Sequence, residues 1–250
     1  MTDRFARYPS LEDRVVLITG GAGGIGAQMV RRFSEQDARV AFLDFDVPGG
    51  EAMAAATGAL FLPCDLRDIT ALRAAVAEVG QRLGDVTVLV NNAARDDRHG
   101  FETVEPDYWD ERMATNLRHQ FFCAQAVVPM MRRAGGGSIV NLGSVSWVKA
   151  QGGMPAYTTA KSAVRGLTRG LARDLGPDRI RVNEVVPGWV YTERQIALWV
   201  TPEAEARSQA QQCLKGRLQP DDIARMVLWL AADDSAMVTA QAFAVDGGGS

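Results

Sequence analysis

Short apolar runs alternate with amphipathic stretches along the whole chain. Val15-Val16-Leu17-Ile18 is uninterrupted, as expected of a strand buried on both faces of a parallel sheet. Val40 to Leu43, Leu60 to Pro63, Val86 to Val90, Ile139 to Leu142, Ile180 to Val186 and Ala242 to Val245 repeat the pattern, predicting seven strands in all. Between them the spacing predicts helices over Ile25 to Gln36, from an Asp68 cap through Leu72, Val76, Val79 and Leu83, and from about Asp107 to Arg133. Two more are expected over Pro155 to Leu175 and Asp222 to Ala232, with a polar helical insertion from Thr192 to Leu214. Alternation at this spacing predicts a doubly wound, seven-stranded parallel α/β sheet of Rossmann type, a single domain over residues 1–250.

Composition narrows the class. At 250 residues, 47% hydrophobic and 23% charged, the chain can bury a sizeable core. A formal charge of −3, from 27 basic and 30 acidic side chains, includes no basic stripe for nucleic acid and no Lys/Arg cluster for a membrane surface. Met1 to Ser10 is polar and interrupted by Pro9, so it lacks the apolar core of a signal peptide. No uncharged apolar run reaches the roughly 18 residues needed to cross a bilayer. Cys64, Cys123 and Cys213 are scattered, which suits buried thiols in a reducing compartment, and His99 and His119 are too few for a His-rich zinc site. The expectation is a cytoplasmic protein that uses no metal.

The chemistry starts at Thr19-Gly20-Gly21-Ala22-Gly23-Gly24-Ile25-Gly26, between the first strand and the helix after it. Gly20, Gly24 and Gly26 allow a tight turn and let the backbone approach a pyrophosphate, which then faces the positive end of the helix. Asp44 ends the second strand 18 residues after Gly26, where a carboxylate accepts hydrogen bonds from adenosine ribose hydroxyls and repels a 2′-phosphate. Phe45 and Asp46 follow it, with no cation for a phosphate, so NAD is expected rather than NADP.

Tyr157 and Lys161, four residues apart, share one helix face, and Ser144 lies thirteen residues before the tyrosine. A phenol with a pKa of about 10 is a poor base at neutral pH. A nearby ammonium and the positive charge of an oxidised nicotinamide would favour the phenolate; three units of lowering correspond to roughly 4 kcal/mol. Ser144 can hold the reacting oxygen for Tyr157.

Together these residues resemble the short-chain dehydrogenase/reductase family over essentially the whole chain. Asn91-Asn92-Ala93, Asn116, Pro187-Gly188 followed by Thr192, and Val245-Asp246-Gly247-Gly248 match further family motifs in order. The resemblance implies catalysis by Ser144, Tyr157, Lys161 and Asn116, the last holding a water in a proton relay to Lys161. It implies a cofactor cleft of Gly20, Gly24, Ile25, Gly26, Asp44, Asp65, Leu66, Asn92, Ala93, Pro187, Gly188, Val190 and Thr192, besides Tyr157 and Lys161. Within that cleft Asp65 and Leu66 would border the adenine, Thr192 would touch the carboxamide, and Asn91 would support the walls. Relatives are commonly tetramers, so a homotetramer is expected.

The segments Asn92 to His99, Tyr108 to Arg112, Asn116 to His119, Ser144 to Trp147 and Gln211 to Arg217 are similar to the bacterial aldose 1-dehydrogenase branch, with D-xylose 1-dehydrogenases the nearest group. That implies a sugar substrate oxidised at its anomeric hydroxyl to a lactone. Asp96, Arg98, His99, Ser146, Trp147, Trp189 and Gln195, with Ser144 and Tyr157, are then the candidate sugar contacts, on loops beyond the strand ends. Asp96-Asp97-Arg98-His99 reads equally as a loop held by its own ion pairs. A ketoreductase or alcohol dehydrogenase acting on another hydroxy or keto compound, such as a deoxy keto sugar acid, fits the same residues. A non-catalytic NAD-binding sensor would predict loss of a catalytic residue, and all four are present. Two positions depart from the family pattern: Ala94 stands where glycine is commoner, and Glu184 where a small residue is usual. A buried Glu184 would need a partner or a raised pKa.

Overall fold

The computed structural model describes residues 5–250, so the polar reading of Met1 to Ser10 falls partly outside the described residues. The strands are β1 (Val15–Thr19), β2 (Arg39–Asp44), β3 (Leu60–Pro63), β4 (Val88–Asn91), β5 (Gly137–Leu142), β6 (Ile180–Pro187) and β7 (Ala242–Val245). They form one sheet in the order β3-β2-β1-β4-β5-β6-β7, and every pairing is parallel. The chain reverses direction across the sheet between β1 and β4, which opens a crevice at their carboxyl ends.

The apolar runs are continuous because both sheet faces are covered. On one face Val16, Ile18, Phe42, Val90, Val140 and Val185 pack against Met29, Val30 and Phe33 of α1 (Gly24–Ser34) and Ile223, Val227 and Leu230 of α9 (Pro220–Ala231). Their neighbours along each strand, such as Leu17, Ala41, Leu89, Ile139 and Val182, point to the other face. There they meet Leu72, Val76 and Val79 of α3 (Ile69–Leu83) and Cys123, Val127 and Met131 of α5 (His119–Arg133). The same face receives Ala172 and Leu175 of α6 (Pro155–Leu175).

Three elements differ from expectation. The helix α2 (Val47–Thr57) was not predicted, because Pro48-Gly49-Gly50 reads as a breaker. Asp46 caps it by accepting the Gly49 N–H at 3.2 Å, Pro48 sits in its first turn where its missing N–H is harmless, and Gly58 ends it at φ 73°. Gly50 is needed inside it because a Cβ there would lie 2.3 Å from the Phe61 ring. The expected helix from Asp107 to Arg133 is two, α4 (Pro106–Met113) and α5, joined by a π-helical turn over Ala114–Arg118. The insertion from Thr192 to Leu214 is also two helices, α7 (Glu193–Leu198) and α8 (Pro202–Gln211), each started by a threonine cap. Among the described residues, no helix is long and apolar enough to cross a membrane.

Candidate active site

A cavity of about 1060 Å³ lies over the carboxyl ends of the strands. Its first wall is the glycine turn. Gly20 and Gly24 have φ of 71° and 56°, in the left-handed region that a Cβ disfavours. At Gly26 a Cβ would sit 1.8 Å from the Gly20 carbonyl oxygen, so only glycine lets α1 start this close to β1. Asn92 holds the turn from below: its Nδ2 donates to the carbonyls of Thr19 and Gly20, both at 2.9 Å. Thr19 Oγ1 in turn accepts the N–H groups of Asn92 at 3.0 Å and Ala93 at 3.1 Å. The supporting role expected of Asn91 therefore falls to Asn92. Asn91 is buried deeper, donating to Asn141 Oδ1 at 2.9 Å.

Asp44 closes this end. Its Oδ2 accepts the Ala22 N–H at 2.9 Å and its Oδ1 the Asp46 N–H at 3.0 Å, so the carboxylate is fixed beside the turn with lone pairs to spare. Asp65 and Leu66 also line the cavity. Arg67, which the sequence did not single out, grips Asp65 at 2.6 Å and Glu111 at 3.1 Å, and the Arg67 guanidinium holds the Asp65 carboxyl below the usual range. Ile25, Ala93, Pro187, Gly188, Val190 and Thr192 complete this part of the lining. The Thr192 methyl faces Gly24, and its Oγ1 caps α7 through the Gln195 N–H at 3.2 Å.

Ser144, Tyr157 and Lys161 line the middle of the cavity, where β5 ends and α6 passes. The Ser144 Oγ lies 3.0 Å from Ser146 Oγ and accepts the Ser146 N–H at 3.1 Å. The Lys161 side chain is buried; its Nζ donates to the Leu142 carbonyl at 2.7 Å and lies 5.8 Å from the Tyr157 ring centroid. That leaves two of its three donors for other partners. Asn116 sits in the π-helical turn, donating to the Arg112 carbonyl at 3.0 Å and accepting the Arg95 N–H at 2.8 Å. It is fully buried there and, of the four expected catalytic residues, is the one not in the cavity lining.

The electrostatics differ from the expected lowered phenol. In the protein alone, burial pushes Tyr157 up to about 12, and Asp96 adds to the rise; the hydrogen bond with Ser144 and the charge of Arg98 oppose it. Burial likewise pulls Lys161 down to about 8, against the pull of Glu184 and Asp96. Desolvation thus pulls both groups toward neutrality, and within the protein the Ser144 bond and the Arg98 charge do not offset it at the phenol.

The substrate candidates divide. Asp96, Arg98, Ser146, Trp189 and Gln195 line the cavity. Gln195 bridges the cleft: its Oε1 accepts the Trp189 indole N–H at 2.9 Å and its Nε2 donates to Asp96 Oδ2 at 2.8 Å. His99 and Trp147 are not in the lining. His99 is spent structurally, its Nε2 accepting the Ala156 N–H at 3.1 Å while Nδ1 meets the Asp97 carbonyl at 2.9 Å and the Tyr108 hydroxyl at 3.0 Å. Trp147 stands under the Arg165 guanidinium, 5.9 Å from its ring centroid. Asp97 is the ion-pair hub of its loop, bonded to Arg112 and Arg194 at 2.6 Å each and to Arg95 at 3.2 Å. The ion-pair reading thus describes Asp97, while Asp96 and Arg98 are in the cavity lining. Trp199, Arg194 and Arg207 also line the cavity; they lie on the insertion, whose polar sequence carries no directional signal.

His119 is fully buried under this floor and donates from Nε2 to the Ala93 carbonyl at 3.1 Å. Burial, with Lys161 nearby, depresses it from 6.5 to about 4. The folded state thus resists a proton that the unfolded chain takes up, so His119 costs stability as pH falls from 6.5 toward 4 and nothing above that window. Urea unfolding is expected to show a slope approaching 1.4 kcal/mol per pH unit there (about one proton), flattened in His119→Gln. Equal slopes in both proteins would remove His119 from the account.

Comparison with known proteins agrees with this geometry. A family model described as "Enoyl-(Acyl carrier protein) reductase" matches residues 20–250. The chain is 51% identical to "Probable galactose dehydrogenase GalD" of Rhizobium meliloti, with 99% of each chain covered. It is 48% identical to a D-xylose 1-dehydrogenase of Caulobacter vibrioides, over 97% of this chain and 98% of that one. A solved 7α-hydroxysteroid dehydrogenase, in complex with NADH and 7-oxo glycochenodeoxycholic acid, superposes with a TM-score of 0.92 at 28% identity, covering 97% of this chain and 96% of its own. These matches fit a nicotinamide cofactor and a small-molecule substrate. With its glycine turn, its Ser144/Tyr157/Lys161 set and relatives matched end to end, the chain belongs to the short-chain dehydrogenase/reductase family and is an oxidoreductase acting on CH–OH groups.

Proposed function

We propose that this single-domain chain oxidises the anomeric hydroxyl of an aldopyranose, a pentose or related sugar such as D-xylose, L-arabinose, L-fucose or galactose, to the lactone with NAD. The observation that carries the reading is the placement of Asp96, Gln195 and Trp189 in one bridge beside Tyr157: acceptors and donors around an apolar plate suit a polyol ring. The named activities of the D-xylose and galactose relatives support the same substrate class. A cytoplasmic homotetramer is proposed by family analogy alone.

In this reading Ser144 and Tyr157 receive the anomeric hydroxyl, and Tyr157 takes its proton as C1 gives up hydride. A bound oxidised nicotinamide would supply the hydride acceptor and, before transfer, a positive charge beside the phenol. Lys161 would hold the nicotinamide ribose with the donors that the Leu142 carbonyl leaves free, and Asn116 with a water would return the proton chain to its starting state. The protein's share is orientation and proton movement. The cradle fits the cofactor: Gly20, Gly23 and Gly24 line the cavity without a Cβ, and Gly26, packed against the Gly20 carbonyl, holds the turn that presents them. Gly26→Ala is accordingly expected to weaken NADH binding by about 100-fold, roughly 2.7 kcal/mol, in a fluorescence titration. Binding within twofold of wild type would show that the turn is not the cofactor cradle.

NAD is favoured because Asp44 is pinned as an acceptor, while the cation beside Asp65, Arg67, is already taken by Asp65 and Glu111. The deciding experiment is a panel of aldoses and secondary alcohols, with NAD and NADP in parallel. Turnover of a pentose or hexose with NAD is expected. Turnover of alcohols or keto acids with silence on every aldose would replace this reading with the general oxidoreductase one.

A further inference from the structure

Glu184 is the residue that neither the cofactor cleft nor the proton relay absorbs. It lies on β6 opposite Asn141 of β5, fully buried, on the face covered by α6. Tyr157, Lys161 and Arg165 follow one another at intervals of four along that helix, one turn apart on the same side. The Arg165 Nε donates to Glu184 Oε2 at 2.5 Å, with the guanidinium sandwiched toward the Trp147 ring. The other oxygen, Oε1, has no hydrogen-bond partner and lies against Gly143; a Cβ at Gly143 would be 2.1 Å from it. Gly143 joins Leu142, whose carbonyl receives the Lys161 ammonium, to Ser144. The carboxylate therefore sits under the short segment on which the lysine and the serine both depend.

We infer that Glu184 is a positioning residue for Lys161: its buried charge, anchored by Arg165 and seated beneath Gly143, keeps the lysine in the ammonium form that the phenol needs. This rests on the roles proposed above for Tyr157 and Lys161. A buried ammonium without a counter-charge gives up its proton, and a buried carboxylate with one oxygen unpaired is tolerated only where a cation compensates. The charged and titratable groups facing Lys161 are Tyr157 and Arg165 on its own helix, Glu184 on β6, Asp96 after β4 and His119 on α5. Of these, Glu184 and Asp96 are the two that hold the ammonium against burial, Glu184 the more strongly; burial in turn raises the Glu184 carboxyl, and the Arg165 bond and charge and the Lys161 charge oppose that rise. Asp96 also faces the cleft and Gln195, whereas Glu184 is away from the cleft lining, held by Arg165 through one oxygen.

The chain's lysines are Lys149, Lys161 and Lys215, so 13C-lysine NMR resolves the Lys161 titration without any substrate. In Glu184→Gln, where the amide oxygen still accepts from Arg165, the Lys161 midpoint is expected to fall by at least about half a unit, with Lys149 and Lys215 unmoved. Glu184→Asp keeps the charge and is expected to keep most of the midpoint. An unchanged midpoint in folded Glu184→Gln, or an equal fall in Glu184→Asp, would overturn the proposal, the second by assigning the effect to packing. Should Glu184→Gln not fold, the wild-type protein decides: the carboxyl carbon of Glu184, assigned with Glu184→Asp, must report an ionised group at pH 7, and a protonated one would contradict the role. With an aldose that the wild type turns over, the alkaline limb of kcat is expected to move down with the NMR midpoint while NADH affinity stays within twofold. If no aldose turns over, the proposed reaction fails, and the NMR arm still judges Glu184.

Discussion

Tyr157→Phe is expected to lower kcat by about 1000-fold or more while NADH affinity and melting temperature stay close to wild type. The argument is one of burial and position. Tyr157 lines the cavity beside Ser144, with the buried Lys161 Nζ 5.8 Å from its ring centroid. Removing one oxygen deletes the proton acceptor but keeps the ring. Because burial, with Asp96 adding to it and Ser144 and Arg98 opposing it, places the phenol at about 12, it is protonated at neutral pH in the free protein. Activity should therefore rise with pH, and the limb seen in kcat at saturating NAD should lie at least about two units lower than that value. A Tyr157→Phe protein retaining more than a tenth of wild-type kcat would assign the base to another group.

The second large effect concerns cofactor choice. Wild type is expected to prefer NAD over NADP by about 100-fold or more in kcat/KM. Two like charges about 4 Å apart at an effective dielectric of 20 repel by about 4 kcal/mol, enough for that ratio after partial screening. Asp44 cannot swing away to relieve the repulsion, since both its oxygens are held by backbone N–H groups of Ala22 and Asp46. Asp44→Ala should bring the two cofactors within about tenfold, mainly by raising KM for NAD, because ribose acceptors are lost and no phosphate partner is gained. Equal use of both cofactors by wild type would remove this role from Asp44.

The seven strands were readable because a parallel sheet covered on both faces writes itself as short unbroken apolar runs. The glycine turn and the Tyr157/Lys161 pair were readable because their function depends on local spacing. What was hidden depended on packing between distant segments. The helix α2 looked like a turn because Gly50, placed there to admit the Phe61 ring, carries the same letter as a breaker. Nothing in the Asp107 to Arg133 pattern announces the extra residue of the π-helical turn that carries Asn116. His99 and Trp147 share residue type and neighbourhood with Asp96 and Trp189, yet point elsewhere, since a loop sequence encodes chemistry more plainly than direction. The need of Glu184 for a partner was legible; Arg165, nineteen residues earlier on a helix, was not.

The most direct test uses the aldose that turns over fastest, deuterated at C1. Stoichiometric transfer of that deuterium to the reduced cofactor, with one lactone formed per cofactor reduced, is the predicted outcome. Reduced cofactor without deuterium, or an open-chain product oxidised at another carbon, would mean that the ring's first carbon is not the one presented to the nicotinamide.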